Sequence, residues 1–511
     1  MYLYSMKRQN LKFKETKEDQ AFLIPPSLDD MIDKNHPVRT VKKVLDSIDL
    51  DVLLERYKGG GTSSYHPRMM LKVLVYSYLN NVYTSRRIEA ALKENIHFMW
   101  ISGMSTPDHN TINRFRSERL KGVLKKVFGK VVELLAEEGL VDLKEIYIDG
   151  TKIEANANKY TFIWGKAIKT NKEKIKRQLE ELWDYTQKLA HEELKDTTPT
   201  SFGEIDSQKV TETIHEINRI LKDKPVEKKM AQKIKRAEKN WPKILDKYDN
   251  QEKILGDRNS CSKTDPDATF MRMKEDHMKN GQLKAGYNWQ ISTNNQFILN
   301  YTIHQNRTDF NTLPGHLEEF EKLYKKMPEV AVADAGYGSE ENYLFLEKNL
   351  ILPYVKDQYF YKDQQKKKSS SIFNLHYNKE QDCFYCPMGQ PMHLSGKRRK
   401  VTTNGHEQIY HCYTATNCTG CPMHGVCNKQ KGNFELSYNH KLKSLVDKAR
   451  DLLNSEKGIS YRKKRSIEPE PVFGNIKQNK GYKRFLLRGK EKVEIEAGLL
   501  SIAHNLKKWS C

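Results

Sequence analysis

Two short apolar segments that each end on an aspartate constrain this chain more than any other feature. In Glu145-Ile-Tyr-Ile-Asp149-Gly-Thr-Lys152, Ile146 and Ile148 alternate with Glu145 and Tyr147, the period of a strand with one buried face. The strand runs out at Asp149-Gly150, where glycine permits a turn. In Val330-Ala-Val-Ala-Asp334-Ala-Gly336-Tyr337-Gly338 a second small apolar strand delivers an aspartate into a glycine-rich turn. An unpaired charge at the end of a buried strand costs several kcal/mol. Taken singly, each is a turn aspartate. Taken together, and joined by a glutamate from a later helix, two such residues are a means of holding two magnesium ions.

The chain around them is basic. It has 511 residues, room for roughly two or three domains, and a formal charge of +22 from 88 basic and 66 acidic side chains. The excess is spread along its length, and a field of that sign favours a polyanionic partner, above all nucleic acid. No apolar run approaches the roughly 18 residues of a membrane span, and the first residues lack the apolar core of a signal peptide. The expectation is a cytoplasmic protein with no membrane partner. Its eight cysteines then read as thiols or metal ligands rather than disulfides.

Taken in order, residues 22–130 carry helical periodicity. His66-Pro67 opens a long apolar helix, Arg86 and Arg87 stand at the start of another, and Thr106-Pro-Asp108 caps a third. The polar face of that third helix bears His109, Asn113, Arg114 and Arg116. Such a face suits a DNA groove, as a recognition helix does, and equally the solvated side of a helical bundle. Residues 166–258 are rich in Lys and Glu with Ile, Leu and Trp three and four apart, which predicts a helical hairpin or short coiled coil inserted after the first strand.

Strands are then expected at 287–292 and 297–303 around an Asn294-Asn295 turn, at 330–333 and at 351–355, with helices at 310–327 and 340–349. Three strands, a helix, a strand, a helix and a strand make the ribonuclease-H-like α/β order. In that order the first and fourth strands lie side by side, so Asp149 and Asp334 come within reach of a shared metal pair. The core therefore spans 140–360 and resumes at 460–511.

Between those parts, residues 370–445 hold Cys383-Phe-Tyr-Cys386 and Cys418-Thr-Gly-Cys421. Two CxxC pairs are the spacing of a zinc ribbon with a structural tetrahedral site; an iron–sulfur cluster and bare thiols are the alternatives. The adjacent Lys397-Arg-Arg-Lys400 suggests that this insertion also touches DNA.

Read end to end, these segments resemble a bacterial insertion-sequence transposase of the DDE class, in the branch named after insertion sequence eleven-eighty-two, a relative of the IS-four and IS-five groups. The resemblance rests on Tyr65-His-Pro67, Asp108-His-Asn-Thr-Ile112, Tyr147-Ile-Asp149-Gly-Thr-Lys152, Thr264-Asp-Pro-Asp-Ala268, Ala333-Asp334-Ala-Gly-Tyr337, Glu470-Pro-Val-Phe-Gly-Asn-Ile-Lys477, Phe485-Leu-Leu-Arg-Gly489 and Ala503-His-Asn-Leu506. It implies that Asp149, Asp334 and Glu470 form a triad holding magnesium, or manganese in its place. Lys477 would then meet a phosphate, and Lys152 and Tyr337, beside the two aspartates, are placed to contact the DNA backbone, with a structural role an equally good reading for Lys152. Such an enzyme binds the terminal inverted repeats of its element on double-stranded DNA, cuts them and joins them to a target, as a dimer or larger complex. A domesticated regulator without catalysis, or a nuclease on the same fold, would share these features.

Two points stay open at this level. The family often has Arg four positions before the glutamate, where this chain has Ser466 with Arg465 and Lys464 adjacent. Glu468 and Glu496 compete with Glu470, and only the spacing from Glu470 to Lys477 favours the latter.

Overall fold

In the computed structural model the two strand-end aspartates lie on neighbouring strands of one sheet. The structure describes residues 27–57, 64–159, 161–190, 202–273, 282–361, 375–402, 404–428 and 431–510. Its central strands are β1 (Glu145–Glu154), β2 (Leu283–Asn294), β3 (Phe297–His304), β4 (Val330–Ala333) and β5 (Leu352–Val355). They run in the order β3-β2-β1-β4-β5, and the short strand Thr269–Arg272 pairs with the start of β2 as a sixth. β1 is antiparallel to β2 and parallel to β4, with Glu145, Ile146 and Tyr147 opposite Val330, Ala331 and Val332. Parallel pairing in that register makes Asp149 and Asp334 emerge from the same edge. This is the strand order expected from the sequence.

The β2–β3 hairpin closes on Asn295 and Gln296, both with positive φ (51° and 60°), the geometry of a tight turn whose twist matches its strands. The turn sits one residue later than expected. Helices cover both faces. On one, Leu124–Glu137, Leu313–Tyr324 and Lys490–Trp509 pack on β3. Glu340–Lys348 packs on β5 from the same side, its Tyr343 and Leu346 sharing that core, and on the other face His440–Asn454 and Glu456–Ile467 pack on β5 and β4. Both faces of the parallel strands are thereby buried, as parallel pairing requires.

The N-terminal helices are not a separate lobe. His66 caps the helix Pro67–Leu79 and accepts the Arg68 N–H. That helix is buried nearly all round and packs on Lys490–Trp509, so that its side chains and those of the sheet belong to one apolar core. The helical pattern does not extend ahead of Pro37: residues 28–35 are turns, and the first helix is Pro37–Ser47, which begins at the proline. Residues 22–26 of the expected domain lie outside the described residues.

The Lys/Glu-rich insertion holds three helices rather than a hairpin: Gly165–Leu189, Ser207–Ile220 and Lys228–Leu255. The third is hidden in the sequence by Pro242, ordinarily a helix breaker, which here lies inside the helix. The three share a small core of their own, with Leu179, Val210, Ile214, Ile217 and Leu245 buried. The cysteine-rich segment forms a five-stranded antiparallel sheet. Its longest strands, Pro391–Val401 and Glu407–Ala415, make a ribbon on which Lys397, Arg398, Arg399 and Lys400 are all exposed. Among the described residues no helix is long and apolar enough to cross a membrane.

Two histidines are held neutral inside this fold. His316 is fully buried, with Ser292 Oγ 2.6 Å from Nε2 and Thr302 Oγ1 2.7 Å from Nδ1, and burial pushes its pKa well below the usual value. His504 donates from Nε2 to the Gln296 carbonyl at 2.9 Å, and burial pushes it down to about 4 from an ordinary 6.5. The unfolded chain therefore binds more protons than the folded one between those values, and stability must rise with pH across that window, by up to about 1.4 kcal/mol per pH unit for each histidine. We expect the melting temperature to climb from pH 5 to pH 7 and the His504→Gln variant to climb less steeply. Equal slopes for the two proteins would show that His504 does not stay neutral on folding.

Candidate active site

Where β4 ends beside the middle of β1, a single guanidinium stands between the acids. Arg465, on the helix Glu456–Ile467, places Nη2 3.4 Å from Asp149 Oδ1 and 3.4 Å from Asp334 Oδ2, and Nη1 3.8 Å from Glu470 Oε1. Three carboxylates that share one planar cation surround one point. Arg465 is one of the basic residues that the sequence leaves open as the triad's partner.

Each acid arrives by a different route. Asp149 sits within β1, which runs on through Gly150 to Glu154 paired with β2, so the strand does not give out in the turn expected at Asp149-Gly150; the Asp149 side chain is 9% exposed. Asp334 caps a 3-10 turn, accepting the Gly336 N–H at 2.8 Å, and is 37% exposed. Glu470 stands in the first turn of the helix Pro469–Gly474 with its side chain 59% exposed, Pro469 occupying the position where a missing N–H does no harm. Glu468 turns the other way. It is buried and accepts the Gln296 N–H at 2.8 Å, so it anchors the β2–β3 turn. Glu496 is fully buried and accepts N–H groups of Leu486 and Leu487 (2.8 and 2.9 Å) and the Tyr78 hydroxyl (3.1 Å). Burial raises its pKa, and Arg116 opposes that rise. Three-dimensional placement thus separates the three glutamates that local sequence geometry could not.

The residues fit a divalent cation. Their donors are carboxylate oxygens, the preference of a hard ion such as magnesium or manganese. The guanidinium between them supplies the positive charge they require, and its Nε is buried without a protein partner. Gly150, within β1, and Gly336, in the turn after β4, both leave space that a side chain would fill. A Cβ on Gly336 would stand 2.9 Å from Asp334 Oδ1, and one on Gly150 would meet the Gln290 amide and stand 2.8 Å from Asp309 Oδ1. As they stand, with Arg465 in the centre, no three acids, histidines or cysteines among the described residues converge into a metal-holding group.

Other expected residues fare unequally. Tyr337 is fully buried and its hydroxyl donates to Gln290 Oε1, so it is a packing and hydrogen-bonding residue and not a DNA contact. Arg116 is likewise interior: Nη1 donates to the Tyr83 carbonyl (2.7 Å) and the Tyr78 hydroxyl (3.1 Å), and Nη2 to Asn113 (3.2 Å). Its position on the polar side of the helical pattern concealed this, because the neighbouring helices supply polar partners there. His109 is tied to Glu89 through its backbone N–H (3.0 Å) and Nδ1 (2.7 Å). Arg86, Arg87, Asn113 and Arg114 are exposed. Lys152 is half-buried on β1 beyond Asp149, and Lys477 is buried in the π-helical turn Asn475–Asn479. Sequence reasoning missed Asp309, whose one signal is that it follows β3 as the other acids follow their strands.

The cysteines do not fit zinc in the expected set. Phe384 faces the small core of the five-stranded sheet, with Cys386 and Cys418 packed against it. Cys383, one step along the strand, faces the other side, where its thiol points to Gln381 Oε1 at 3.7 Å. The Cys383-x-x-Cys386 pair therefore straddles the sheet instead of forming a knuckle. Four thiolates of a tetrahedral site would have to lie on one side of it.

The mixed α/β core gathers carboxylates from two adjacent strands and a following helix around one guanidinium. Two family models match parts of this chain. Residues 385–510, which include Arg465 and Glu470, match the family model described as Transposase DDE domain, and residues 26–118 match the one described as Transposase domain (DUF772). Asp149 and Asp334 lie outside both stretches. The matches support a transposase of the DDE insertion-sequence class without singling out a branch. No curated protein and no solved structure matches the chain.

Removing the guanidinium leaves Asp149 buried beside two more carboxylates, a like-charge cluster that raises the free energy of the folded state. We expect Arg465→Gln to lower the melting temperature by several degrees in chelator-treated buffer, and millimolar manganese to restore more of it than it adds to the unaltered protein. A variant that melts like the parent in both buffers would mean that Arg465 does not balance these acids.

Proposed function

We propose that this protein is a DDE transposase that binds the terminal inverted repeats of an insertion sequence and cuts and joins DNA strands by direct phosphoryl transfer. The observation that carries the reading is the single guanidinium within 3.4, 3.4 and 3.8 Å of Asp149, Asp334 and Glu470. Those three acids would hold magnesium or manganese. A bound pair of such ions activates a water or a 3′-hydroxyl on one side of a phosphate and stabilises the leaving oxygen on the other.

The chain's own groups do the rest. Released from the carboxylates, the Arg465 fork is shaped to grip two oxygens of one phosphate. Lys477, on the turn that follows the Glu470 helix, adds a point charge. Arg86, Arg87, Asn113 and Arg114 form an exposed basic and polar surface on the N-terminal helices, suited to duplex DNA, with His109 beside them and Lys152 nearer the site. The exposed Lys397–Lys400 ribbon extends the basic surface, and the net charge of +22 serves the same partner. Joining two ends requires two sites, so the working form is a homodimer or larger on DNA, in the bacterial cytoplasm with the nucleoid.

The test uses a short duplex that carries one end of the element. We expect Glu470→Gln, Asp149→Ala and Asp334→Ala each to reduce cleavage by several orders of magnitude while DNA binding stays within a few-fold. Glu468→Gln and Glu496→Gln should lose thermal stability but keep most of the activity per folded molecule. An active Glu470→Gln beside a dead Glu468→Gln would overturn the assignment of the third acid. Cleavage without joined product would make the protein a nuclease, and binding without either would make it a regulator.

A further inference from the structure

Asp309 stands beside Gly150 of β1 and Gly336 of the turn after β4, and has no part in the triad. It begins the 3-10 turn Asp309–Asn311 that follows β3. A hydrogen-bond chain with only one set of directions fixes its orientation. The Tyr337 hydroxyl donates to Gln290 Oε1, so the Gln290 amide nitrogen is left to donate, to Asn288 Oδ1 at 2.9 Å and to Asp309 Oδ1 at 2.8 Å. Because Asn288 accepts through its oxygen, its own nitrogen donates, again to Asp309 Oδ1, at 2.7 Å. Two amide donors on one carboxylate oxygen lock the rotamer.

That rotamer aims Asp309 at the site. Its Oδ1 stands 2.8 Å from where a Cβ on Gly150 would be, directly after Asp149. Its Oδ2 stands 3.5 Å from where a Cβ on Gly336 would be, and Asp334 Oδ1 stands 2.9 Å from that same point. Both glycine cradles that make room at the site are thus shared with Asp309. Gln290 and Asn288 lie opposite Gly150 and Lys152 in the β1–β2 ladder, so the whole chain of bonds is anchored to the strand that carries Asp149. A structural anchor would need only Oδ1. The second oxygen, turned toward Asp334, is what a cation would use.

We propose that Asp309 is a fourth carboxylate of the site and holds a divalent cation together with Asp149 and Asp334. The inference rests on the reading that these acids take divalent cations, and the measurement separates the two. Manganese binding to the full chain without DNA is followed by electron paramagnetic resonance and calorimetry, in the parent and in Asp309→Asn and Asp149→Asn. The asparagine at 309 can still accept both amide bonds through its oxygen, so the fold is retained while the charge is lost. We expect Asp309→Asn to weaken manganese binding by about tenfold, with the melting temperature in chelator unchanged, and Asp149→Asn to weaken it at least as much.

Weakening by Asp149→Asn alone would refute the role of Asp309 and leave the metal site standing. Binding unchanged in both variants would overturn the metal reading itself. A second measurement needs no variant. Iron(II) with ascorbate and peroxide cuts the backbone beside bound metal, and in the parent chain we expect cuts near 309 as well as near 149 and 334. Cuts confined to the latter two would count against Asp309 even if Asp309→Asn failed to fold.

Discussion

The parallel pairing of Glu145–Tyr147 with Val330–Val332 is the constraint on which the rest of the site depends. Residues far apart in the chain reach the same edge of the sheet because those short stretches lie in register. Ile146, Ile148, Ala331 and Ala333 are buried on one face and Tyr147, Val330 and Val332 on the other, so helices cover both faces. A slip of one residue would turn each strand's side chains to the opposite face, which the buried two-sided core forbids. The sheet's own packing therefore fixes where Asp149 and Asp334 stand, with no help from a ligand.

Glu470 is held differently. Its helix begins just after Glu468, and Glu468 is fastened to the backbone N–H of Gln296 at the tip of the β2–β3 hairpin. The carbonyl of Gln296 accepts from His504 on the last helix, and Asn505 of that helix binds both the N–H (2.8 Å) and the carbonyl (2.8 Å) of Ile298. The last helix in turn packs on Pro67–Leu79, where Glu496, Tyr78 and Arg116 form a buried polar seam. Thus the N-terminal helices belong to the same packed unit as the site. They form part of the scaffold that determines where the third acid lies, because one apolar core runs through both.

How much of this was legible in the sequence follows from which signals are local. Period-two alternation before Asp149 and the small apolar run before Asp334 anticipated two strands, and the order of elements implied their adjacency, but the first strand does not stop at Gly150 because β2 pairs with it as far as Glu154. What sequence could not supply was anything set by a distant partner. Arg116 reads as a surface residue because its periodicity is polar, yet Tyr78 and the Tyr83 carbonyl accept from it inside the fold. Tyr337 reads as solvent-facing beside a loop aspartate, yet Gln290 lies beneath it. Glu468 and Glu470 are alike to any local rule, since each precedes a proline; only the hairpin tip and Arg465 distinguish them. The cysteine spacing misled in the same manner, because a strand alternates its faces and a CxxC pair within one need not converge.

The burial of the acids grades in a way that bears on how such a site works. Asp149 is 9% exposed, Asp334 37% and Glu470 59%. The most buried acid is fixed by the sheet and the most exposed one by the start of a short helix, so the site is rigid on one side and open on the other. A guanidinium is a suitable occupant of such a site in the absence of a metal ion: it is always charged, planar, and tethered to the helix preceding Glu470. It neutralises part of a negative cluster that would otherwise repel itself, and under the proposed function its planar fork would also grip a phosphate of the DNA. Arg465 reaches the shared centre of the three carboxylates although the residue four positions before Glu470 is a serine: the geometry sets a guanidinium at that centre rather than at a fixed count along the chain.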